Sequence, residues 1–464
     1  MKESYKELFK NTGILAISNF SSKVLVFLLV PIYTRTLTTG EYGFYDLTYT
    51  TIQLCFPVLT ADICDAVMRF MMKKEFLQKS VFSVGVKYTF HGCLIILLVL
   101  LLNSVLEISS VISQYAPYIF FLYAALVFDN LLIQFAKGLN RVKEMAIAGL
   151  IGTVSMVILN ILLLLVFDFK LYGFYIANIS SHIIPIIYYC ITLEVPKYIN
   201  FKVDKNIQKS MLLYSAPLVL NQLGWWVNNT SDRYIVSAIC GVNQNGLISV
   251  AYKIPNIVAI IGGIFIQAWQ ISAIKENKTK NSNSFFSSLF IHFNAVLCIL
   301  SGGLIVFVRV IARIFFANDF YQAWKLVPFL VISSLINESA GYVGAILSAD
   351  MNSRAMAKSA ACGIVVNIVL NILFCLAIDT QGITIATMIS SFIIYYMREK
   401  ATNGKARSKY YLIVIISWIL LIVTSMIMIY TNEVWLAAGI VALIVFLYRK
   451  TIFVIIETVK RKNT

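Results

Sequence analysis

The chain has 464 residues, of which 59% are hydrophobic and 13% charged, with a mean hydropathy of +0.81 and a formal net charge of +16. This balance excludes a soluble globular protein, and apolar runs of about 20 residues exclude the short alternating strands of an outer-membrane barrel. The expectation is an all-α polytopic membrane protein.

In chain order, the polar start MKESYKELFKN leads into an apolar run too long for a signal-peptide core, so the first span is expected to be retained. Apolar runs follow at 12–34, 42–63, 81–105, 115–136, 145–167, 171–193, 211–238, 246–271, 284–308, 326–347, 358–378, 381–397, 410–430 and 434–457, giving fourteen predicted transmembrane helices. The charge bias supports this count. Of 38 Lys and Arg, 29 fall at the N-terminus, in loops after even-numbered spans and in the C-terminal tail, while five (Arg35, Lys170, Arg309, Arg313, Lys325) follow odd-numbered spans. Positive loops stay cytoplasmic, which places both termini in the cytoplasm of a multi-pass protein. The net charge therefore belongs to topology and anionic lipid rather than to nucleic acid.

The second half repeats the first. Asp46, Thr50, Gln53 and Thr60 return 203 residues later as Ser249, Lys253, Asn256 and Gly263, and LNILLLLVFD (159–168) returns as LNILFCLAID (370–379). The predicted plan is two parallel six-helix repeats with two appended helices: an N-lobe over 1–200, a C-lobe over 201–409, and spans 13 and 14 with a tail over 410–464. Parallel repeats suggest a transporter whose lobes rock about a central substrate.

With Lys358, Arg449 and Lys450 counted at the cytoplasmic span ends, four cations remain within spans: Lys23, Lys87, Arg233 and Lys253. Lys23 shares a helix face with Thr12, Asn19 and Ser22. Span 7 carries Asn221, Gln222, Trp225, Asn228, Asn229, Asp232 and Arg233 on a broad polar face, beside Trp226. Span 8 aligns Ser249, Lys253, Asn256, Gly263 and Gln267. A central Lys or Arg costs about 2.5–3.5 kcal/mol on insertion scales, so these charges call for a wet cavity, a bound anion, or internal pairing of Lys23 with Asp46 and Arg233 with Asp232. Lys87, near a span end, fits snorkelling. Asp46, Asp129 and Glu338 are intramembrane acids suited to binding H+ or Na+; Asp129 and Glu338 occupy near-matching places in spans 4 and 10. Trp225 and Trp226 suit either packing or stacking on sugar faces.

The remaining features read as structural. Pro217 and Pro255 are candidate hinges. His91, His182 and His292 have no metal-ligand spacing and read as core or cavity histidines, the eight cysteines read as small hydrophobes, and Asp62 and Asp65 read as solvated acids at a membrane edge. No phosphate-cradling Gly-x-x-x-x-Gly-Lys-Ser/Thr, His-Glu-x-x-His or Gly-x-Ser-x-Gly motif occurs, so neither ATP-driven transport nor a familiar hydrolase is expected, and no metal or other cofactor is called for.

Residues 11–47, NTGILAISNFSSKVLVFLLVPIYTRTLTTGEYGFYDL, resemble the start of the bacterial polysaccharide-repeat-unit flippases, the Wzx-like branch of the multidrug/oligosaccharidyl-lipid/polysaccharide exporter superfamily. The likeness lies in Asn-Phe-x-Ser-Lys, the Pro-x-Tyr-Thr-Arg exit at 31–35, the Glu-Tyr-Gly turn at 41–43, and LTADICDAVMRF at 59–70. The resemblance implies a non-enzymatic flippase of the bacterial cytoplasmic (inner) membrane. Its cargo would be an undecaprenyl-diphosphate-linked oligosaccharide bound for O-antigen, capsule or exopolysaccharide. It supplies an anion for Lys23, Arg233 and Lys253, and it implies membrane lipid, a polysaccharide polymerase and glycan-assembly proteins as partners. The alternatives are a peptidoglycan-precursor flippase and, from another class, a membrane-embedded polysaccharide polymerase. The polymerase reading lacks the long outer loop it would need, since the longest outer segment is 309–325.

Overall fold

The computed structural model describes residues 23–73, 75–200, 204–276, 282–407, 411–431, 433–451 and 453, which are helices and connecting turns with no strand among them. Helical residues 23–28 precede α1 (Val30–Thr36), α2 (Thr39–Leu59), α3 (Ile63–Met71), α4 (Gln78–Leu106), α5 (Ser110–Gly138), α6 (Val142–Asn160), α7 (Lys170–Thr192) and α8 (Lys205–Ile239). Then come α9 (Val242–Ala251), α10 (Pro255–Glu276), α11 (Ser282–Val306), α12 (Val308–Phe315), α13 (Val327–Ala349), α14 (Ser353–Ala401), α15 (Tyr411–Met426) and α16 (Val434–Leu447). Among the described residues nine helices are long and apolar enough to cross a membrane, or ten if α2 and α3 form one bent span. The protein is a multi-pass membrane protein.

Local chemistry sets several of these ends. Thr38 and Glu41 form a reciprocal capping box: Thr38 Oγ1 accepts the Glu41 amide at 3.2 Å, and Glu41 Oε2 accepts the Thr38 amide at 2.8 Å. The Glu-Tyr-Gly turn is therefore the start of α2. Pro255, a candidate hinge within one span, instead stands at the first position of α10, where its missing N–H breaks no helical bond, so the run 246–271 is two helices. The 49-residue α14 covers two predicted spans, joined at the non-helical Ile378 and Asp379.

The chain divides into two compact units, Met1–Thr230 and Ser231–Thr464, with the division falling inside α8. In the first unit, α3, α4 and α5 enclose a core of Ile63, Val67, Phe70, Phe82, Leu131 and Phe135. Gly152 lets α6 lie close on α7, since a Cβ there would meet the Ser181 carbonyl oxygen at 2.5 Å. In the second unit α13 is the buried axis. Trp269 of α10 stacks on Tyr342 with ring centroids 4.4 Å apart, and its indole donates to the Tyr342 carbonyl at 3.0 Å.

The repeat is visible in the backbone of each unit. Asn140 and Met351, 211 residues apart, take left-handed conformations with φ of 58° and 57°. Each is followed by an amide that donates five residues back at 2.9 Å, Arg141 to Ala136 and Asn352 to Leu347. Asp168 and Asp379, at the same shift, have φ of 49° and 53°. Side-chain-independent turns recurring at one offset support two copies of one helical plan.

One expectation is corrected. Asp62 is not solvated but 1% exposed, because left-handed backbone at Ala61 and Asp62 bends α3 by 58° from α2 and turns the carboxylate inward. Its neighbour Asp65 accepts a 2.6 Å bond from Gln134 Nε2. All eight cysteines are free, and Cys240 and Cys375 Sγ lie 2.8 Å apart as a thiol–thiol contact.

Candidate functional site

The acid that the sequence marks in span 4 has a specific partner. His182 Nδ1 of α7 lies 2.8 Å from Asp129 Oδ2 of α5, with the two side chains 24% and 11% exposed. Asp129 Oδ1 is buried with no hydrogen-bond partner among the described residues. A buried carboxylate bonded at one oxygen only keeps acceptor capacity at the other for a further donor or a cation.

Two cavities meet at this pair. One, of about 350 Å³, is lined by Tyr49, Gln53, Asn130, Gln222, Trp225 and Trp226 together with Asp129 and His182. The other, of about 530 Å³, carries Lys137, Gly149, Gly152, Thr153, Ser181 and Tyr189, again with Asp129 and His182. Each has room for on the order of ten waters. In the first cavity Trp226 is fixed by its indole N–H, which donates to the Thr50 carbonyl at 2.8 Å, whereas Trp225 is 63% exposed. The first cavity thus presents two indole faces beside amides and an acid, a combination that can stack on a sugar ring and hydrogen-bond its hydroxyls.

The other predicted residues fall as follows. Lys23 is exposed, Asn19 lies outside the described residues, and so does the side chain of Asn228. Asp46 is buried at 9% among Tyr33, Tyr42 and Tyr45. Within the second unit the Arg233 guanidinium lies 5.6 Å from the Tyr252 ring centroid, while the Tyr252 hydroxyl and the Arg233 backbone amide both donate to Asp232. Lys253 is half-buried in the turn between α9 and α10, and Asn256 is exposed one turn on. Glu338 packs against Gly262, where an added Cβ would meet its Cγ at 2.5 Å. Lys87 donates to Gln208 Oε1 at 3.0 Å.

Sequence reasoning took His182 for an ordinary core or cavity histidine. The available signal was position: Asp129 and His182 both lie mid-span, where an ionisable side chain needs a partner. Gln222, Trp225 and Trp226 lie on the same cavity as this pair, a grouping across spans 4, 6 and 7 that one-helix faces do not reveal.

Comparison with known proteins agrees with this architecture. A family model described as "Polysaccharide biosynthesis protein" matches residues 8–270. The lipid II flippase MurJ in an inward closed conformation is 15% identical, covering 94% of this chain and 99% of its own, with a TM-score of 0.64. An inward-facing multidrug resistance MATE family transporter of the MOP superfamily is 14% identical, covering 85% and 99%, also with a TM-score of 0.64. A MOP superfamily transporter from Pyrococcus furiosus is 13% identical, covering 86% and 97%, with a TM-score of 0.52. Comparison with curated proteins gives no match. Helical plan, paired units and family match converge: the chain belongs to the polysaccharide biosynthesis protein family and has the fold of the MOP superfamily transporters.

Proposed function

We propose that the protein is a flippase that moves undecaprenyl-diphosphate-linked oligosaccharide repeat units across the bacterial cytoplasmic membrane by alternating access. The observation that carries this reading is the first unit's cavity, where Trp225 and Trp226 stand with Gln53, Asn130 and Gln222 in an otherwise apolar helical protein of a polysaccharide-synthesis family. In this proposal Lys23, Arg233 and Lys253 neutralise the diphosphate, while Asn19, Asn228, Asn256 and both tryptophans contact the glycan. The prenyl tail stays in lipid, where each buried CH₂ contributes about 0.8 kcal/mol. Asp46, Asp129 and Glu338 bind the coupling H+ or Na+. The N-lobe extends over 1–200 and the C-lobe over 201–409, with 410–464 appended, and both termini are cytoplasmic. The product feeds O-antigen, capsule or exopolysaccharide assembly, with a polymerase acting next.

The test is a chromosomal deletion complemented with Trp225→Ala or Lys253→Ala. Each variant should be made at the wild-type level, lose surface glycan and accumulate lipid-linked repeat units in the inner leaflet. Normal surface glycan in both variants would reject the reading. A second reading, flipping of a peptidoglycan precursor, is favoured by the likeness to the lipid II flippase over 94% of this chain. Lethality of the deletion would select it, since cell-wall precursors are indispensable and surface glycans are not.

A further inference from the structure

We propose that Asp129 and His182 form a proton-exchange dyad that connects two separate wet cavities of the first unit, with His182 as a working member of the coupling site. This rests on the transport reading above for its use in a cycle, while its chemistry rests on geometry alone.

The two cavities share Asp129, Ile133 and His182 as their common wall. Ile133 carries no exchangeable proton, so among the residues common to both cavities the carboxylate and the imidazole are the groups that can pass one between them. The 2.8 Å contact between Nδ1 and Oδ2 is short enough for direct transfer, and the unbonded Oδ1 is a second acceptor on the same carboxylate. In the forward step His182 gives the proton on Nδ1 to the Asp129 carboxylate and takes one at its other ring nitrogen from a hydrated proton in the cavity, which is left as water. Only N–H and O–H bonds change, and no electrons are transferred. Histidine suits this role because its ordinary titration falls between about pH 5 and 8.

The surrounding groups are compatible with this. From α5 the cavity wall adds Lys137, which feels the Asp65 carboxylate of α3; α7 adds Tyr189, and α2 adds Tyr49. The α6 face is Gly149, Gly152 and Thr153, and the α8 face is Gln222, Trp225 and Trp226, none of which titrates in this range. By the charge bias, the Lys137 end of α5 and the start of α6 face the cytoplasm. The larger cavity is then a lateral cytoplasmic entrance for protons, distinct from the cavity that holds the tryptophans.

Trp225 and Trp226 line the same cavity as the dyad and serve as reporters. Purified protein in detergent is titrated from about pH 5 to 8 while intrinsic tryptophan fluorescence is followed for the wild type, Asp129→Asn and His182→Gln. One transition in the wild type, absent from both variants, is the expected result. A transition that persists in either variant, or none in the wild type, overturns the dyad and leaves a packing contact. Gly149→Leu, which fills the larger cavity, should slow the fluorescence response after a rapid pH jump without moving its end point; an unchanged rate overturns the lateral entrance. No lipid-linked glycan is needed for these measurements, so they are separable from the flippase reading. A titrating dyad in a protein whose Trp225→Ala and Lys253→Ala variants both export glycan normally would remove that reading and leave the proton site standing.

Discussion

His182 Nδ1 and Asp129 Oδ2 are 2.8 Å apart across α7 and α5, and this contact ties together two helices separated by a whole intervening span. Removing one partner strands the other. His182→Ala should lower the stability of the first unit by roughly 1–3 kcal/mol, the cost of a buried polar group left unsatisfied. The doubly apolar Asp129→Leu/His182→Leu should lose less than the single variant. Thermal unfolding in detergent measures both, and a double variant less stable than His182→Ala contradicts this account.

In the second unit Gly262 is required by Glu338. A Cβ at 262 would sit 2.5 Å from Glu338 Cγ and 2.6 Å from Oε2, so Gly262→Ala must push the acid out of place. The expected cost is about 1–3 kcal/mol of overpacking. Pairing it with Glu338→Ala should recover most of that loss in the same melting assay. Equal melting of the single and double variants would show that the neighbouring helix yields instead.

In the last turn of α14, Glu399 is 1% exposed and accepts two bonds from the guanidinium of Arg407, which lies past the helix end, at 2.5 and 2.6 Å. These bonds raise the Arg407 pKa above its ordinary value, so the guanidinium remains charged throughout the physiological range. Arg407 is half-exposed, which weakens the Coulombic part through solvent screening. A double-mutant cycle of Glu399→Gln and Arg407→Ala should give a coupling of about 0.5–3 kcal/mol. Additive effects would mean that Glu399 is held by its burial alone.

The two neighbouring tryptophans should separate cleanly. Trp226→Phe removes the bond to the Thr50 carbonyl and should cost about 1 kcal/mol in stability. Trp225, 63% exposed, should tolerate Phe with little change in melting or glycan export, whereas Trp225→Ala should keep the fold and lose export. A Trp225→Ala variant that melts well below the wild type would recast this ring as a packing residue.

Much of the architecture was legible along the chain because it depends on local composition. The apolar runs predict where helices lie, and the described helices occupy those runs from 42–63 onward. The repeat could be read from LNILLLLVFD and LNILFCLAID, and the left-handed Asp168 and Asp379 now mark the end of each copy. Asp129 and Glu338 could be singled out because an acid in a membrane span is costly wherever it points. Less legible were the breaks. Ala61 and Asp62 carry no glycine or proline to announce their positive φ, yet their turn decides that Asp62 is buried.

The sequence by itself determined that this is a helical membrane protein, where its apolar segments begin and end, and that it is built from two related halves. Bilayer thickness and helix period act on neighbouring residues, so twenty letters at a time contain that information. Only the tertiary structure decided that His182 belongs to Asp129, that Trp226 is pinned while Trp225 is open, and that Glu338 needs a glycine opposite it. Those facts depend on how closely helices approach and how each is rotated. Contacts such as Gly152 against Ser181 settle that approach, and no single helix encodes it alone.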